Sequence, residues 1–335
     1  MKKLHLFLLL IHLLACHSPN PPSVSFLENS PSLLQKLPSK APSTIVRNII
    51  KGSQGNLWMA TGEGILYYDG TAFKNLTQEL TSSRFFGILE DSQGKLWMGS
   101  LGSGLYAYDG QQWEHWTTKE GLVDDHVLYI YEDSKGLVWI GTQGGLSCYN
   151  GVNFKNFTTA QGLPHLEVNA LIETKEGQLW IGTKGAACYY DGQQLQPFYK
   201  KNEGQLLPLG QEVSFENVRY FLKDNKARIW LAGQDGLWLW NGKTFQVLSE
   251  HFATYLYQDA TETIWVTAKN PATNEWELSY YQTTTLNPVA PTAVLVKSTA
   301  TMLFGMAKDK TGNLWVGHLN GVLQCDATTF HCYEK

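Results

Sequence analysis

The side chains that could perform chemistry in this chain are spread thinly and form no known catalytic motif. The nine histidines do not cluster, and Cys-x-x-Cys, His-Glu-x-x-His, Gly-x-Ser-x-Gly and phosphate-loop patterns are absent. Four residues at the starts of predicted strands could serve as acid–base groups or as ligands of a divalent cation: His126, Glu167, Glu216 and His251. Because no motif assigns them these roles, we expect no enzymatic activity and no metal or other cofactor.

A different set of polar residues recurs eleven positions before a repeated tryptophan. This position holds Arg47, Asn169 and Arg219, but Phe, Leu or Thr in the other copies. A pure packing position would not alternate between arginine, asparagine and phenylalanine, so we expect Arg47 and Arg219 to contact a ligand in a channel. The alternative is that they are only solvated there. The further candidate ligand-binding residues are Arg84, His126, Asn169, Glu216, His251 and Trp276, the last as a stacking surface for a sugar or a partner chain.

These positions belong to a repeat that occurs seven times. Each copy has a turn, a tryptophan after an aliphatic residue, a small residue two positions later, and a Gly-rich step to a further strand. The tryptophans are Trp58, Trp97, Trp139, Trp180, Trp230, Trp265 and Trp315, spaced by 39, 42, 41, 50, 35 and 50 residues. In the second copy, turns at Asp91–Gly94 and Asp109–Gly110 separate short strands. Seven copies of four antiparallel strands predict an all-β, seven-bladed β-propeller over residues 44–335.

The composition excludes several classes of partner. The chain has 335 residues, of which 43% are hydrophobic and 17% charged, and its net charge is −4. There is no basic field for nucleic acid, and we expect a monomer. We assign the seven repeated tryptophans to the core, because each occupies the same position in its copy.

The N-terminal residues predict export. Lys2 and Lys3 precede an apolar run that is too short to span a bilayer, so residues 1–15 are predicted to be a signal peptide. Leu13-Leu14-Ala15-Cys16 resembles a bacterial lipobox, which implies lipidation of Cys16; the alternative is an ordinary secretory signal. Residues 16–43 are rich in proline and serine and predict a tether. We expect a lipid-anchored protein of the cell envelope, at the outer membrane and facing the periplasm or the cell surface.

The repeat resembles the two-component regulator propeller family. The similar segments are Gly94-Lys-Leu-Trp-Met-Gly-Ser, Gly136-Leu-Val-Trp-Ile-Gly-Thr and Gly177-Gln-Leu-Trp-Ile-Gly-Thr, with lead-ins Thr117-Thr-Lys-Glu-Gly-Leu-Val and Thr158-Thr-Ala-Gln-Gly-Leu-Pro. Copies five and six depart from it, since Ala227 and Glu262 replace the turn glycine. The resemblance implies a periplasmic sensor propeller. In that family a β-sandwich, a transmembrane helix and a histidine kinase follow the propeller; none precedes Lys335, so we expect no kinase chemistry.

Three hypotheses for function follow. The first is a non-catalytic module that binds an unidentified ligand, a glycan or a protein partner, in connection with two-component sensing. The second is an enzyme resembling streptogramin lyases, which are also seven-bladed propellers and use a histidine and acidic residues with magnesium at the channel mouth. The third is a structural scaffold that interacts through aromatic residues on the outer blade edges, namely Trp113, Trp116, Trp238 and Trp240.

Insertions into the repeat indicate where a ligand would bind. Lys201–Glu216 is expected to lengthen the link from blade four to blade five, Lys269–Asn274 a loop within blade six, and Ala290–Ala300 the link from blade six to blade seven. All three would then lie on one face of the ring, which we take as the binding face. The alternative is neutral drift of exposed loops.

The cysteines and the termini allow further expectations. Cys325 and Cys332 flank the last hairpin and could form a disulfide, whereas Cys148 and Cys188 are expected to be buried free thiols. The ring could close by packing of blade one on blade seven. Alternatively, a strand at Val24–Glu28 could join the two ends.

Overall fold

A computed structural model of the chain describes residues 41–198, 215–282, 292–326 and 332–334. These residues form seven antiparallel four-stranded sheets, each built from four consecutive strands. The predicted all-β, seven-bladed propeller is therefore confirmed. The helical elements of the described residues are two 3₁₀ turns, Thr118–Glu120 and Thr159–Gln161. None of the helices in this part of the chain has the length and apolar character needed to cross a membrane.

The first four blades follow one another along the chain. Blade one contains β1 (Val46–Lys51), β2 (Leu57–Thr61), β3 (Gly64–Tyr68) and β4 (Phe73–Asn75). Blade two contains β5 (Phe85–Glu90), β6 (Leu96–Ser100), β7 (Leu105–Tyr108) and β8 (Trp113–Trp116). Blade three contains β9 (Val127–Glu132), β10 (Val138–Thr142), β11 (Leu146–Tyr149) and β12 (Phe154–Phe157). Blade four contains β13 (Val168–Glu173), β14 (Leu179–Thr183), β15 (Ala187–Tyr190) and β16 (Leu195–Pro197).

The last three blades complete the ring. Blade five contains β17 (Tyr220–Lys223), β18 (Ile229–Gly233), β19 (Gly236–Trp240) and β20 (Phe245–Ser249). Blade six contains β21 (Ala253–Gln258), β22 (Thr263–Lys269), β23 (Trp276–Gln282) and β24 (Val294–Thr299). Blade seven contains β25 (Leu303–Lys308), β26 (Leu314–His318), β27 (Gly321–Cys325) and β28 (Cys332–Glu334). The first strand of each blade is the innermost.

The turn between the first two strands explains the spacing of the repeat. In blade two, Oδ1 of Asp91 accepts hydrogen bonds from the backbone N–H groups of Gln93 and Lys95. Its Oδ2 accepts a hydrogen bond of 2.7 Å from the indole Nε1 of Trp97. The same indole bond, of 2.8 to 3.0 Å, recurs in blades three, five, six and seven. An aspartate six residues before each of these tryptophans thus closes the turn and satisfies the buried indole N–H.

The small residue two positions after each tryptophan is required by blade packing. A Cβ built on Gly99 would lie 2.4 Å from Cγ1 of Val127, and one on Gly141 2.7 Å from the carbonyl oxygen of Val168. Val127 and Val168 belong to the innermost strand of the next blade. At Gly99 and Gly141 the next blade therefore packs directly on the second strand of the preceding one, with no room for a Cβ at either position.

Neighbouring blades are also linked by hydrogen bonds on the face that carries the tight turns. The backbone N–H of Ser92 donates to Glu132 of blade three at 2.7 Å, and that of Ser134 donates to Glu173 of blade four at 2.9 Å. Ser53 makes the equivalent bond to Glu90 of blade two at 3.0 Å. A serine in the turn of one blade thus binds the glutamate that ends the innermost strand of the next.

Within the described residues the ring closes by packing alone. Blade one supplies its own innermost strand and blade seven its own outermost strand. The contact between them is the same as elsewhere, since a Cβ on Gly317 would lie 2.2 Å from the carbonyl oxygen of Val46. The alternative strand at Val24–Glu28 lies outside the described residues.

One expected insertion lies elsewhere. We expected Ala290–Ala300 to lengthen the link between blades six and seven, but Val294–Thr299 is β24, the outermost strand of blade six. The extra residues of this blade therefore fall between β23 and β24. Strand direction alternates within a blade, so β23 ends and β24 begins on the face of the tight turns. The expectation that all three insertions share one face is therefore wrong for this one.

Candidate functional site

A β-bulge in the innermost strands changes the direction of the side chain that stands eleven residues before the repeated tryptophan. In blade one the register shifts between Val46 and Asn48, which leaves Arg47 as the extra residue; in blade four it shifts between Val168 and Ala170, which leaves Asn169. The same shift occurs in blades two, three and six. The extra residue of a bulge leaves the alternating pattern of the strand. This explains why the position is not restricted to packing side chains.

The side chains at these bulges meet at the centre of the ring. The guanidinium of Arg47 lies 4.8 Å from the ring centroid of Phe86 in blade two and 4.4 Å from that of Phe304 in blade seven. Both phenylalanines occupy the position equivalent to Arg47. The side chains at the predicted channel position therefore lie together in three successive blades, namely seven, one and two. The guanidinium is held by cation–π contacts on two sides.

Three tyrosines complete this centre, each one residue after the channel position of its blade. Tyr220 lies with its ring centroid 6.0 Å from that of Tyr129 and 5.4 Å from that of Tyr255, which in turn is 6.3 Å from Phe304. Tyr129 and Tyr220 come from blades three and five, and the equivalent residue of the intervening blade four is Ala170. We call Arg47, Phe86, Tyr129, Tyr220, Tyr255 and Phe304 the channel cluster.

The channel cluster carries positive charge that the described residues do not balance. No carboxylate of the described residues lies within salt-bridge distance of Arg47 or Arg219. Burial lowers the pKa of Arg47, and the charge of Arg219 lowers it further. Arg219 occupies in blade five the position that Arg47 occupies in blade one, and its positive charge acts on the Arg47 guanidinium. Two guanidinium groups thus share the centre without an acidic partner.

The tyrosines cannot supply the missing negative charge. Burial raises the pKa of Tyr220 to about 12, and it raises the pKa of Tyr129 well above the ordinary value. Burial also raises the pKa of Tyr255, although Arg219 and Arg47 partly offset this. All three hydroxyl groups therefore stay neutral at physiological pH and can act as hydrogen-bond donors.

Asn169 adds a donor without a partner. Its side chain is 8% exposed, and its Nδ2 has no hydrogen-bond partner in the described part of the chain. A buried amide N–H without a partner costs free energy, so such groups are usually satisfied by protein, water or ligand. Asn169 occupies the same bulge position in blade four that Arg47 occupies in blade one.

The other predicted residues lie at the rim and do not form a cluster. Arg84 is exposed, and His126 is exposed with its Nδ1 3.3 Å from Oδ1 of Asp124. Glu216 is exposed, and its backbone N–H donates to Asp235. His251 is partly buried and lies two residues before β21 begins. Among the residues that the structure describes, no three His, Cys, Asp or Glu side chains gather as a metal site.

Two predictions that involve tryptophan need correction. Trp276 begins β23 but is only 8% exposed, with its ring centroid 5.8 Å from that of Phe252. It belongs to the core and offers no free stacking surface. Of the proposed outer-edge aromatic residues, Trp113 and Trp116 are buried, and Trp238 and Trp240 are partly buried against the core between blades four and five. These four tryptophans therefore do not form the exposed aromatic patch that the scaffold hypothesis requires.

The cysteines lie away from the channel cluster. Cys325 is disulfide-bonded, and it faces Cys332 in the register of β27 and β28. Cys148 and Cys188 are free and buried. Burial raises the pKa of the Cys148 thiol to about 11 and that of Cys188 to about 12, so neither is an activated nucleophile. Cys16 lies outside the described residues.

Of the two remaining insertions, one lies mostly beyond the described residues and the other lies at the mouth where the innermost strands begin. Residues 199–214 of the link into blade five lie outside the described residues. The loop between β22 and β23 is held by its own hydrogen bonds, since Asn270 accepts from the backbone N–H groups of Ala272 and Thr273 and donates to Glu277. This loop is therefore an ordered part of the rim.

Comparison with known families identifies the repeat. Residues 79–102, 121–144 and 162–185 match the family described as the two component regulator propeller. Each match spans the lead-in and the first two strands of a blade, in blades two, three and four. The resemblance drawn from the repeated tryptophan segments is thus confirmed for these blades. No curated protein matches the sequence.

Solved structures share the propeller fold. The extracellular domain of the hybrid two component system BT3049 from B. thetaiotaomicron has a TM-score of 0.66 at 20% identity, over 84% of this chain and 38% of that one. The corresponding domain of BT4673 has a TM-score of 0.62 at 17% identity, over 85% and 39%. Virginiamycin B lyase from Staphylococcus aureus has a TM-score of 0.62 at 11% identity, over 86% and 98%. The chain spans less than half of the two sensor domains, and at these identities the likeness concerns the fold.

Proposed function

We propose that this protein is a non-catalytic binding module of the cell envelope that takes part in two-component sensing. In this proposal, lipidation at Cys16 and the tether over residues 16–43 hold the propeller at the outer membrane. The ligand, a glycan or a protein partner, binds at the mouth of the channel where the innermost strands begin. The two component regulator propeller repeats support the link to sensing.

One observation carries the binding role: at the channel position, Arg47 and Arg219 form no ion pair with a described residue, and Nδ2 of Asn169 has no hydrogen-bond partner among them. Structural residues that hold charge usually have their partner in the fold, as Arg228 does with Asp224 at 2.7 Å. Unpartnered donors at the centre of a propeller indicate that an external molecule satisfies them. The acid–base residues that an enzyme would need are not gathered in the same way.

The proposal is tested by screening the purified protein against immobilised glycans and envelope extracts. We expect a retained ligand, and we expect the double variant Arg47→Ala/Arg219→Ala to lose it while the melting temperature changes little, because neither guanidinium makes an ion pair. Retention by the double variant would refute the channel site. Release of a chemically altered ligand would instead establish the lyase-like alternative.

A further inference from the structure

The positive charges of Arg47 and Arg219 specify the chemistry of the ligand as well as its position. A partly buried guanidinium is stable only if something compensates its lost hydration. Arg47 has aromatic rings on two sides, which compensate in part, and Arg219 adds a second positive charge nearby. Like charges repel, so bringing these two guanidinium groups into one channel costs free energy. The pair is most readily balanced by an external anion.

The hydrogen-bonding groups point to the same kind of ligand. Guanidinium groups bind carboxylate, sulfate and phosphate through paired N–H donors. The neutral hydroxyl of Tyr255, whose pKa both arginines lower, is a further donor, and the unpartnered Nδ2 of Asn169 belongs to the equivalent bulge position of blade four. The polar groups of this centre are hydrogen-bond donors, and its acceptors are limited to hydroxyl and amide oxygens. Such a set favours an acceptor that carries negative charge.

We propose that the channel mouth recognises an oxyanion, a carboxylate, sulfate or phosphate group of the ligand, bound between Arg47 and Arg219. This deepens the proposed binding function and rests on it. Phe86 and Phe304 act as walls that fix the Arg47 guanidinium, so its orientation is set before the ligand arrives. An acidic sugar and an acidic or C-terminal group of a peptide share this chemistry.

The proposal is tested by isothermal titration calorimetry of the purified full chain at constant ionic strength. The probes are inorganic sulfate, inorganic phosphate, glucuronic acid, a short peptide with a free C-terminal carboxylate, and glucose as the neutral control. We expect at least one anion to bind at a single site and glucose to give no heat. Binding by glucuronic acid or by the peptide would distinguish the two sources of the anion.

Matched variants distinguish anion binding at this site from general electrostatic attraction of anions to the protein surface. Arg219→Ala should weaken anion binding by about tenfold to a hundredfold, which corresponds to one lost charge-assisted hydrogen-bonding group. Arg47→Lys keeps the charge but loses the planar fork and should also weaken it. Lys119→Ala removes one exposed positive charge from the same face, outside the channel cluster, and should leave binding unchanged.

Several outcomes would overturn the oxyanion proposal. These are no anion binding, equal binding of glucose and glucuronic acid, or anion binding that Arg219→Ala leaves intact while the protein stays folded by circular dichroism. If anions fail to bind but the retained glycan or protein is still lost in Arg47→Ala/Arg219→Ala, the binding function stands and only the oxyanion is refuted. If anions bind but no glycan or protein is retained, the sensing role is the part that fails.

Discussion

At the residue scale, the repeated tryptophans and the channel residues play opposite parts. Each of five repeated indoles donates to an aspartate six residues earlier and so belongs to the structure of its own blade. Arg47 and Arg219 have no such partner among the described residues. The tryptophans therefore account for the fold, and the arginines are the residues for which the fold gives no reason.

Two turn residues adopt a backbone conformation that is unfavourable for any residue other than glycine. Ala227 and Glu262 stand where the repeat has glycine, and both adopt positive φ, 58° and 62°. This left-handed conformation places Cβ close to the following carbonyl oxygen and disfavours residues other than glycine. The departures of copies five and six from the repeat are thus local strain in an unchanged turn.

We therefore expect Ala227→Gly to stabilise the protein by about 1 kcal/mol. The reciprocal change is Gly94→Ala, since Gly94 has a φ of 82° and a Cβ there would meet nothing within 4 Å. It should destabilise by about 1 kcal/mol through the backbone alone. Equilibrium denaturation with urea measures both. If the free energy of unfolding changed in the same direction in both variants, this explanation of the turn would be contradicted.

At the element scale, the innermost strand of a blade has two structural roles. Its regular part packs on the preceding blade, where Gly141 leaves room for the backbone at Val168. Its bulge turns one side chain toward the centre, as at Asn169. Because the bulge recurs in most blades, the channel position can vary in residue type without disturbing the packing positions on either side of it.

The packing position allows a sharp test of the blade interfaces. A Cβ on Gly317 would meet the carbonyl oxygen of Val46 at 2.2 Å, where the backbone itself would have to move. We expect Gly317→Ala to destabilise by about 2 to 4 kcal/mol, as overpacking in a rigid core does. The measurement is the free energy of unfolding in urea.

The control for this substitution is Gly87→Ala. Gly87 also lies in a strand at a blade interface, but a Cβ there would meet its nearest neighbour, the carbonyl oxygen of Leu128, at 3.4 Å. That is ordinary van der Waals contact, so the cost should stay within about 1 kcal/mol. Similar losses for both variants would mean that the interface between blades seven and one is not as close as described.

At the scale of the whole molecule, the ring closes without exchanging a strand. All seven sheets are complete within residues 46–334, and blade one packs on blade seven as other neighbours pack. A closure of this kind depends on the fit of two faces. The stability of the closed ring therefore depends most on the contact between blades one and seven.

We expect a chain that begins at Ala41 to melt at the same temperature as one that begins at His17. Both retain every strand of the seven sheets. A chain that ends at Ala290 lacks blade seven, exposes both closure faces to water, and should lose cooperative unfolding. Differential scanning calorimetry compares the three. A markedly lower midpoint for the chain that begins at Ala41 would show that residues 17–40 contribute to closure.

The sequence by itself determined the number of blades, the strands and turns of most copies, and the position that faces the channel. These follow from short-range patterns: an aspartate and a tryptophan six apart, a small residue two further on, and hairpin turns that repeat along the chain. Such features act within one blade, so each copy carries the information independently.

Only the tertiary structure decided how residues from different blades combine. It buried Trp276, assigned Val294–Thr299 to a strand instead of a link, and brought Arg47 between Phe86 and Phe304. It also brought together three tyrosines that are far apart in sequence. Strand pairing, burial and the absence of a counter-charge around Arg47 depend on neighbours from other blades. No pattern within a single repeat records which residues those neighbours will be.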